Sequence, residues 1–372
     1  MKKPILVAII LWAVVVILAI ELTFKINSEY QVSGIAYDEI LGWRFKRNMN
    51  NGFFRKKDGF TTNNEGFRDN EHPFVKDKGI KRIIFLGDSY TAGSRVSDHE
   101  TFSSLFRKKI AANKTDSNKY DVMNVSVPAW ATDQEFLYLV HEGMKYKPDY
   151  LFLMIAPNDI RETYAKSFFR LDNNNYLEKG RTTSISLKAR FCWFLSNNSC
   201  FYQFLQMKVF KTSHGGFSTI FSYFPVDLHV TNCPTVDHPL FLMEMPAQIK
   251  AARDLFKTIV LEINKACLKN NCKLILVVLP TKMEFDGSLN GDSYQPGNIA
   301  HFVRRISLEH GIIFLDLFSL LNTEADPLKV FIADEYHYNR EGHIFIAEKL
   351  YEFFDQLKLL LALKESSVKG KP

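Results

Sequence analysis

Short apolar runs separated by segments of helical periodicity make up most of the chain between residues 80 and 363. Apolar runs of four to six residues that end at polar residues or glycine are typical of strands buried on both faces. The segments between them carry apolar residues at helical spacing. The predicted strands are Ile83–Leu86, Val122–Val125, Tyr150–Ile155, Leu274–Leu279 and Ile312–Leu315. The predicted helices are Thr101–Ala112, Asp133–Lys145 with Asp133 as its cap, Pro246–Lys269, Ile299–His310 and Glu341–Leu363.

This alternation of strands and helices predicts an α/β fold with a five-stranded parallel sheet covered on both faces. The handedness of crossover connections favours a three-layer α/β/α, flavodoxin-like arrangement. In such folds the ligand site lies beyond the carboxyl ends of the strands. We therefore look for chemistry in the residues that directly follow the predicted strands.

The amino terminus differs from the rest because residues Ile5–Ile20 are apolar without interruption. About 20 such residues span a bilayer, and Lys2 and Lys3 favour a cytoplasmic amino terminus. We predict a single-pass transmembrane anchor in residues 1–25, with the remainder outside the cytoplasm, in the periplasm. A cleaved signal peptide is the alternative, for which Leu18–Glu21 offers a poor cleavage site.

Beyond the anchor, changes in composition suggest three further parts and a long insertion. Residues 26–79 are polar and are interpreted as a lead-in segment that packs on the main domain, residues 80–364 as the catalytic domain, and residues 365–372 as a tail. The insertion at 161–245 is rich in aromatic residues at near-helical spacing. Two interpretations stay open for it: extra helices that bury their aromatics in the core, and a lid or membrane-resting surface.

Composition excludes some classes of protein. Of 372 residues 46% are hydrophobic, and the net charge of +6 is not gathered in a basic arm, which argues against a nucleic-acid binder. The cysteines form no CxxC pair, so we expect no structural zinc site. In an oxidising compartment Cys192 could pair with Cys200 and Cys267 with Cys272, leaving Cys233; free thiols are the alternative.

Polar motifs follow four of the predicted strands. A serine at a strand-to-helix turn is exposed beside backbone N–H groups that can hold an oxyanion, and an asparagine amide can add a further donor. An aspartate three residues before a histidine can orient the imidazole toward a nucleophile. His141 and His343 are rival bases, but neither has an aspartate three residues before it. The motifs are Gly87-Asp88-Ser89, Asn124–Ala129, Ala156-Pro157-Asn158-Asp159 and Asp334–His337.

With these motifs, residues 80–350 resemble the SGNH hydrolase superfamily, the GDSL-type esterases and lipases, and Pro280-Thr281-Lys282 is similar to a segment of membrane-anchored members. The resemblance implies Ser89 as nucleophile, Asn158 as oxyanion amide, and Asp334 with His337 as the acid–base pair. Family patterns usually carry glycine where this chain has Ala129 and Ala156. A positive φ at either position would cost alanine about 1 kcal/mol or more.

The predicted function is that of a serine esterase that works through an acyl-enzyme on O-acyl, chiefly O-acetyl, esters of an envelope glycan or lipid. Ser89, Asp334 and His337 would be catalytic, and the N–H groups of Ser89 and Ala129 with the Asn158 amide would form the oxyanion hole. No metal or organic cofactor is expected. Two alternatives stay open: an O-acyltransferase with a membrane acyl-transfer or polymer-export partner, and an inert scaffold of an envelope-polymer assembly.

Overall fold

The computed structural model of the chain describes residues 2–27, 34–50, 60–113, 116, 118–180, 187–205, 237–333 and 336–369. Its helices are α1 Lys2–Asn27, α2 Ser89–Ala92, α3 Phe102–Ala112, α4 Thr132–His141, α5 Pro157–Lys166, α6 Leu187–Asn198, α7 Ala247–Lys269, α8 Asn298–His310, α9 Leu317–Leu321 and α10 Arg340–Lys369. Its strands are β1 Ile35–Asp38, β2 Gly42–Phe45, β3 Ile80–Gly87, β4 Lys119–Ser126, β5 Tyr150–Ile155, β6 Phe169–Leu171, β7 Leu177–Lys179, β8 Lys273–Val278 and β9 Ile313–Asp316.

The chain divides into two compact units, which are described separately. One comprises residues 1–66 and 183–228, and the other comprises residues 67–182 and 229–372. The second unit holds the predicted α/β/α architecture. Its five parallel strands lie in the order β4-β3-β5-β8-β9, which confirms the predicted fold class.

The sheet is apolar on both faces, as the uninterrupted hydrophobic runs predict. Alternate residues of β3 point to opposite faces of the sheet, and both Phe85 and Leu86 are fully buried. On the face of Phe85 the helices α3 and α10 pack together, and the rings of Phe106 and Phe354 lie 5.9 Å apart. Each crossover helix returns the chain across the sheet, so the polar residues that follow the strands collect at one edge.

One predicted helix start is wrong. Helix α4 begins at Thr132 with Ala131 in the cap position, and Asp133 lies inside the first turn as a fully buried side chain. The helix also ends early, at His141, because a separate 3₁₀ turn at Gly143–Tyr146 follows it and Lys147 has a left-handed backbone with φ of 51°. The sequence pattern predicted a single helix over α4 and this 3₁₀ turn.

The first unit contains the amino-terminal helix and residues 187–205 of the aromatic insertion, whereas the described residues 161–180 and 237–245 belong to the second unit. Residues Pro4–Ile26 of α1 form a helix that is long and apolar enough to cross a membrane. Strands β1 and β2 form an antiparallel hairpin that carries the buried side chain of Trp43. Within the insertion, α6 is followed by helical residues 200–205.

The four described cysteines are free thiols. Cys267 and Cys272 lie buried together near the end of α7, and a hydrogen bond with Cys267, together with burial, raises the pKa of the Cys272 thiol. Cys233 lies outside the described residues.

Candidate active site

The site begins at the turn that follows strand β3 in the second unit. Gly87 closes the strand, and a Cβ there would lie 2.3 Å from the Thr91 hydroxyl oxygen, so only glycine fits. Asp88 then caps helix α2, and its Oδ1 accepts a hydrogen bond of 2.9 Å from the Tyr90 N–H. This cap leaves Ser89 as the first helical residue, at the carboxyl edge of the sheet.

Ser89 and His337 are in hydrogen-bond contact although 248 residues separate them in the chain. Nε2 of His337 lies 3.0 Å from Oγ of Ser89. The His337 ring also packs against Tyr90, with ring centroids 5.1 Å apart. The structure therefore brings together the serine and the histidine that the sequence analysis selected, in the geometry of a nucleophile and its base.

A lysine from the segment after β8 holds two backbone carbonyls of the segment that leads to His337. Lys282 Nζ donates to the Ile332 oxygen at 3.1 Å and also to the Ala333 oxygen. The Ile332 N–H in turn donates to the His337 oxygen at 3.0 Å. Asp334 lies outside the described residues, so its pairing with His337 stays a prediction.

Asn158 is tied to the serine turn through Asp88. It stands in the first turn of α5, after the neighbouring strand β5, and its Nδ2 donates to Asp88 Oδ2 at 2.9 Å. An asparagine amide carries two N–H bonds, and fixing one of them fixes the direction of the other. Burial raises the pKa of Asp88, while the hydrogen bonds from Asn158 and Tyr90 oppose that rise.

Among the residues selected for the site, Ala129, on the loop after β4, has a left-handed backbone. Its φ is 60°, in the left-handed region that alanine rarely occupies, whereas Ala156 has an ordinary φ of −97°. The fully buried Lys166, in the last turn of α5, donates to the Ala129 oxygen and to Glu162 Oε2 at 2.9 Å. Helix α5 thus carries Asn158 at one end and a lysine that holds the Ala129 peptide at the other.

A comparison with protein families decides the class of this site. The profile of the GDSL-like lipase/acylhydrolase family matches residues 85–344, which is more than two thirds of the chain. The chain belongs to this family. It is therefore an acylhydrolase by membership, and the predicted resemblance to the GDSL-type esterases and lipases is confirmed.

Solved structures with which this GDSL-family chain aligns include esterases. A lipase/acylhydrolase from Enterococcus faecalis is 15% identical, covering 73% of this chain and 94% of its own, with a TM-score of 0.40. An acetyl xylan esterase is 16% identical over 73% and 98%, with a TM-score of 0.40. A two-domain esterase active on acetylated mannans is 11% identical over 75% and 50%, also at 0.40. Curated protein sequences gave no match.

A group of buried acids lies close to Asp88 in the turn after β3, and the sequence analysis assigned these acids no role in the site. Burial raises the pKa of Asp133 to about 7 and that of Glu135 well above its usual value. Burial and the negative charges nearby also raise the pKa of Asp159, which follows Asn158. Its Oδ2 accepts a hydrogen bond of 2.7 Å from the Ala156 N–H. Among the described residues no cluster of His, Cys, Asp or Glu is arranged to hold a metal ion.

The two rival histidines lie apart from this GDSL-family site. His343 is almost completely buried, its Nδ1 accepts the Phe102 N–H at 3.2 Å, and burial lowers its pKa to about 3, so it stays neutral. His141 is exposed at the end of α4, which runs away from the carboxyl edge of the sheet. Of the three histidines, His337 alone contacts Ser89.

Proposed function

We propose that the chain is a serine esterase whose nucleophile is Ser89 and whose base is His337. The observation that carries this proposal is the 3.0 Å contact between Ser89 Oγ and His337 Nε2. Support comes from membership in an acylhydrolase family and from the position of the pair at the carboxyl edge of the sheet.

In the first half of the reaction, His337 Nε2 takes the proton of Ser89 as Oγ bonds to the carbonyl carbon of an ester. The resulting oxyanion is stabilised by the N–H groups of Ser89 and Ala129 and by the Asn158 amide. His337 then gives its proton to the leaving alcohol as the ester C–O bond breaks, and the acyl group stays on Ser89.

In the second half, His337 accepts a proton from water as the water oxygen attacks the acyl carbon. The proton returns to Ser89 as the acyl-enzyme bond breaks and the carboxylic acid leaves. Asp334 is assigned the role of stabilising the imidazolium and fixing its tautomer.

The proposed location is a membrane, with α1 as a single-pass anchor. Lys2 and Lys3 before the apolar helix favour a cytoplasmic amino terminus and a domain outside the cytoplasm. From that location we propose O-acyl groups, chiefly O-acetyl groups, of an envelope glycan or lipid as substrates. A reporter that is active only outside the cytoplasm, fused after Pro372, tests the orientation; an inactive reporter on a stable chain would overturn it.

The catalytic assignment is tested by hydrolysis of a chromogenic acetyl ester by the full chain. Ser89→Ala and His337→Ala are expected to lower kcat by at least about 10³-fold, since nucleophile and base act as a unit. Ser94→Ala and His141→Ala serve as matched controls on the same serine loop and on a rival histidine, with kcat unchanged. Near-normal hydrolysis by the Ser89 variant would remove the assignment.

Water as the acyl acceptor distinguishes this proposal from acyl transfer. The full chain is given a labelled acetyl donor with and without an envelope polysaccharide, and free acetate is measured against polymer-bound acetyl. We expect acetate to be the main product. Label that appears mostly on the polymer at modest acceptor concentration would identify a transferase instead.

A further inference from the structure

Helix α6 exposes an apolar face that a soluble environment does not explain. Leu187, Phe191 and Phe194 follow one another at i, i+4 and i+7, so they lie on one side of the helix. Their exposed fractions are 84%, 61% and 58%. Ser196, on the opposite side, is buried. Exposed aromatic stripes of this kind mark surfaces that bind something apolar.

The helical residues directly after α6 are attached to the end of α1, in the same unit. Glu21 of α1 accepts hydrogen bonds from Ser199 Oγ at 2.7 Å and from the Cys200 N–H at 2.6 Å. The first N–H groups of a helix have no partner within it, so a carboxylate from elsewhere can cap them. The contact also satisfies a carboxylate that directly follows the uninterrupted apolar run Ile5–Ile20 of α1.

An aromatic contact strengthens this attachment one turn further along α1. The Phe24 ring lies 5.1 Å from Phe201 and 4.9 Å from Phe204. Polar and apolar contacts thus join the last turns of α1 to the segment that continues α6. The position of α6 therefore depends on how deep these turns lie.

The length of α1 gives that depth. Glu21 lies 17 positions after Pro4, and at a rise of about 1.5 Å per residue this distance is about 26 Å, against a hydrocarbon core of roughly 30 Å. Glu21 and Phe24 consequently lie near the far boundary of a bilayer that α1 enters at Pro4. Whatever is attached to them lies close to the headgroup region.

We propose that the stripe of Leu187, Phe191 and Phe194 lies in the headgroup–acyl boundary of the same bilayer that α1 spans. The exposed Arg190 flanks the stripe, and the combination of aromatic residues with a basic residue is typical of helices in this layer. This inference rests on the proposed membrane anchor and is independent of the esterase chemistry. It makes α6 a second attachment of the first unit to the membrane.

The test uses the full chain in nanodiscs of phosphatidylethanolamine and phosphatidylglycerol. Phe191 or Phe194 is replaced by 4-azidophenylalanine, and lipid adducts are quantified by mass spectrometry after illumination. The same replacement at Trp12 of α1 is the reference for the anchor. Tyr176, 72% exposed in the hairpin of the second unit, is the matched aromatic control.

We expect adducts at positions 191 and 194 to approach those at position 12 and to exceed those at position 176 at least tenfold. Adducts at 191 and 194 as rare as at 176, or cross-links there to a second copy of the chain, would overturn the proposal. An absence of adducts at position 12 would overturn the anchor, and the inference with it. Hydrolysis of an acetyl ester by the same samples reports separately on the proposed function.

A pair of variants tests the link through Glu21. Glu21→Leu removes the acceptor of the bonds from Ser199 and Cys200, whereas Glu21→Gln keeps a carbonyl oxygen there. In the leucine variant, adducts at position 194 should fall several-fold while those at position 12 stay. The glutamine variant should keep most of them. Equal adducts at 194 in both variants would show that this contact does not place α6.

Discussion

Two alanines that stand where GDSL-family patterns carry glycine have different backbone conformations. Ala129 has a φ of 60° and Ala156 a φ of −97°. For an L-residue the left-handed region costs roughly 1 to 2 kcal/mol, so one alanine is strained and the other is not. The strain lies on a proposed oxyanion donor, where backbone direction matters most.

Ala129→Gly should raise the free energy of unfolding by up to about 1 kcal/mol and leave kcat nearly unchanged, because glycine has no Cβ penalty there and keeps the N–H. Ala156→Gly is the matched control and should lower stability by roughly 0.5 to 1 kcal/mol through unfolded-state entropy. Denaturant titration of both variants measures this difference. Equal losses in the two variants would contradict it.

The Asn158 amide is the side-chain donor of the proposed oxyanion hole. Asn158→Ala should lower kcat by on the order of 10²- to 10³-fold with little change in KM, since the interaction strengthens only in the transition state. Steady-state kinetics on an acetyl ester measures this split. A rise in KM alone would instead make Asn158 a substrate-binding residue.

The sequence identified the site residues that belong to a recognisable local pattern, but it did not identify the buried charged residues around them. Ser89, Asn158 and His337 are polar residues directly after strands or in a recognisable motif. Lys166 and Glu135 lie on helices, where charged residues are normally solvated. Their burial depends on tertiary packing, and no local pattern marks it.

At the scale of elements, helix α5 joins two parts of the oxyanion hole. Its first turn supplies Asn158, and Lys166 in its last turn holds the Ala129 oxygen while pairing with Glu162. The relative position of the two proposed oxyanion donors therefore depends on one rigid helix. We regard Lys166 as a positioning residue.

Lys166→Met should lower stability by roughly 1 to 3 kcal/mol, because it removes one of the two cationic partners of the buried Glu162 carboxylate and leaves Arg161 at 3.3 Å. It should also lower kcat by about tenfold to a hundredfold through misplacement of the Ala129 peptide. Adding Glu162→Gln should restore much of the stability without restoring kcat. Recovery of kcat together with stability would make Lys166 purely structural.

The core of each strand was predictable from the sequence, but the ends of the helices were less so. The central strand Tyr150–Ile155 has the predicted bounds because five of its six apolar residues are fully buried and Tyr150 is partly buried. Helix α4 begins at Thr132 without a side-chain cap, so the polar Asp133 was a misleading signal. The Asp133 side chain is buried, which raises its pKa to about 7, and no local sequence pattern indicates this burial.

At the scale of the whole molecule, a charge network attaches the segment after residue 66 to the sheet of the second unit. Nδ1 of His72 lies 2.6 Å from Asp121, and its Nε2 lies 3.1 Å from Asp69. Asp121 also accepts a bond of 2.8 Å from Arg82, and Arg107 pairs with Asp69. Although burial lowers it, hydrogen bonds to Asp121 and Asp69 raise the pKa of His72 to about 9.

This shift predicts a pH dependence of stability. A folded-state pKa above the unfolded value of 6.5 means that the contribution of protonated His72, up to about 3 kcal/mol, is complete below pH 6.5 and is lost as the pH rises through 9. Denaturant titrations of the chain and of His72→Gln at several pH values measure it. The stability difference should shrink between pH 6 and pH 9.5, and a constant difference would contradict the assignment.

The parallel, three-layer arrangement of the sheet was predictable from general rules on crossover connections, since few arrangements of five alternating strands satisfy them. The contacts of His72 did not follow, because they join residues 49 positions apart through charge rather than through a periodic pattern. Long-range polar pairing is a property of the finished fold.

The separation of 248 positions between Ser89 and His337 also determines when a newly made chain acquires its catalytic base. At 5 to 20 residues per second, the ribosome completes the base roughly 10 to 50 s after the nucleophile. During that interval Ser89 is an ordinary hydroxyl, without a neighbour to take its proton. If the domain is exported as proposed, it becomes active only after its carboxyl-terminal part has left the ribosome and crossed the membrane. Esters in the cytoplasm, where the chain is made, are therefore not exposed to its activity.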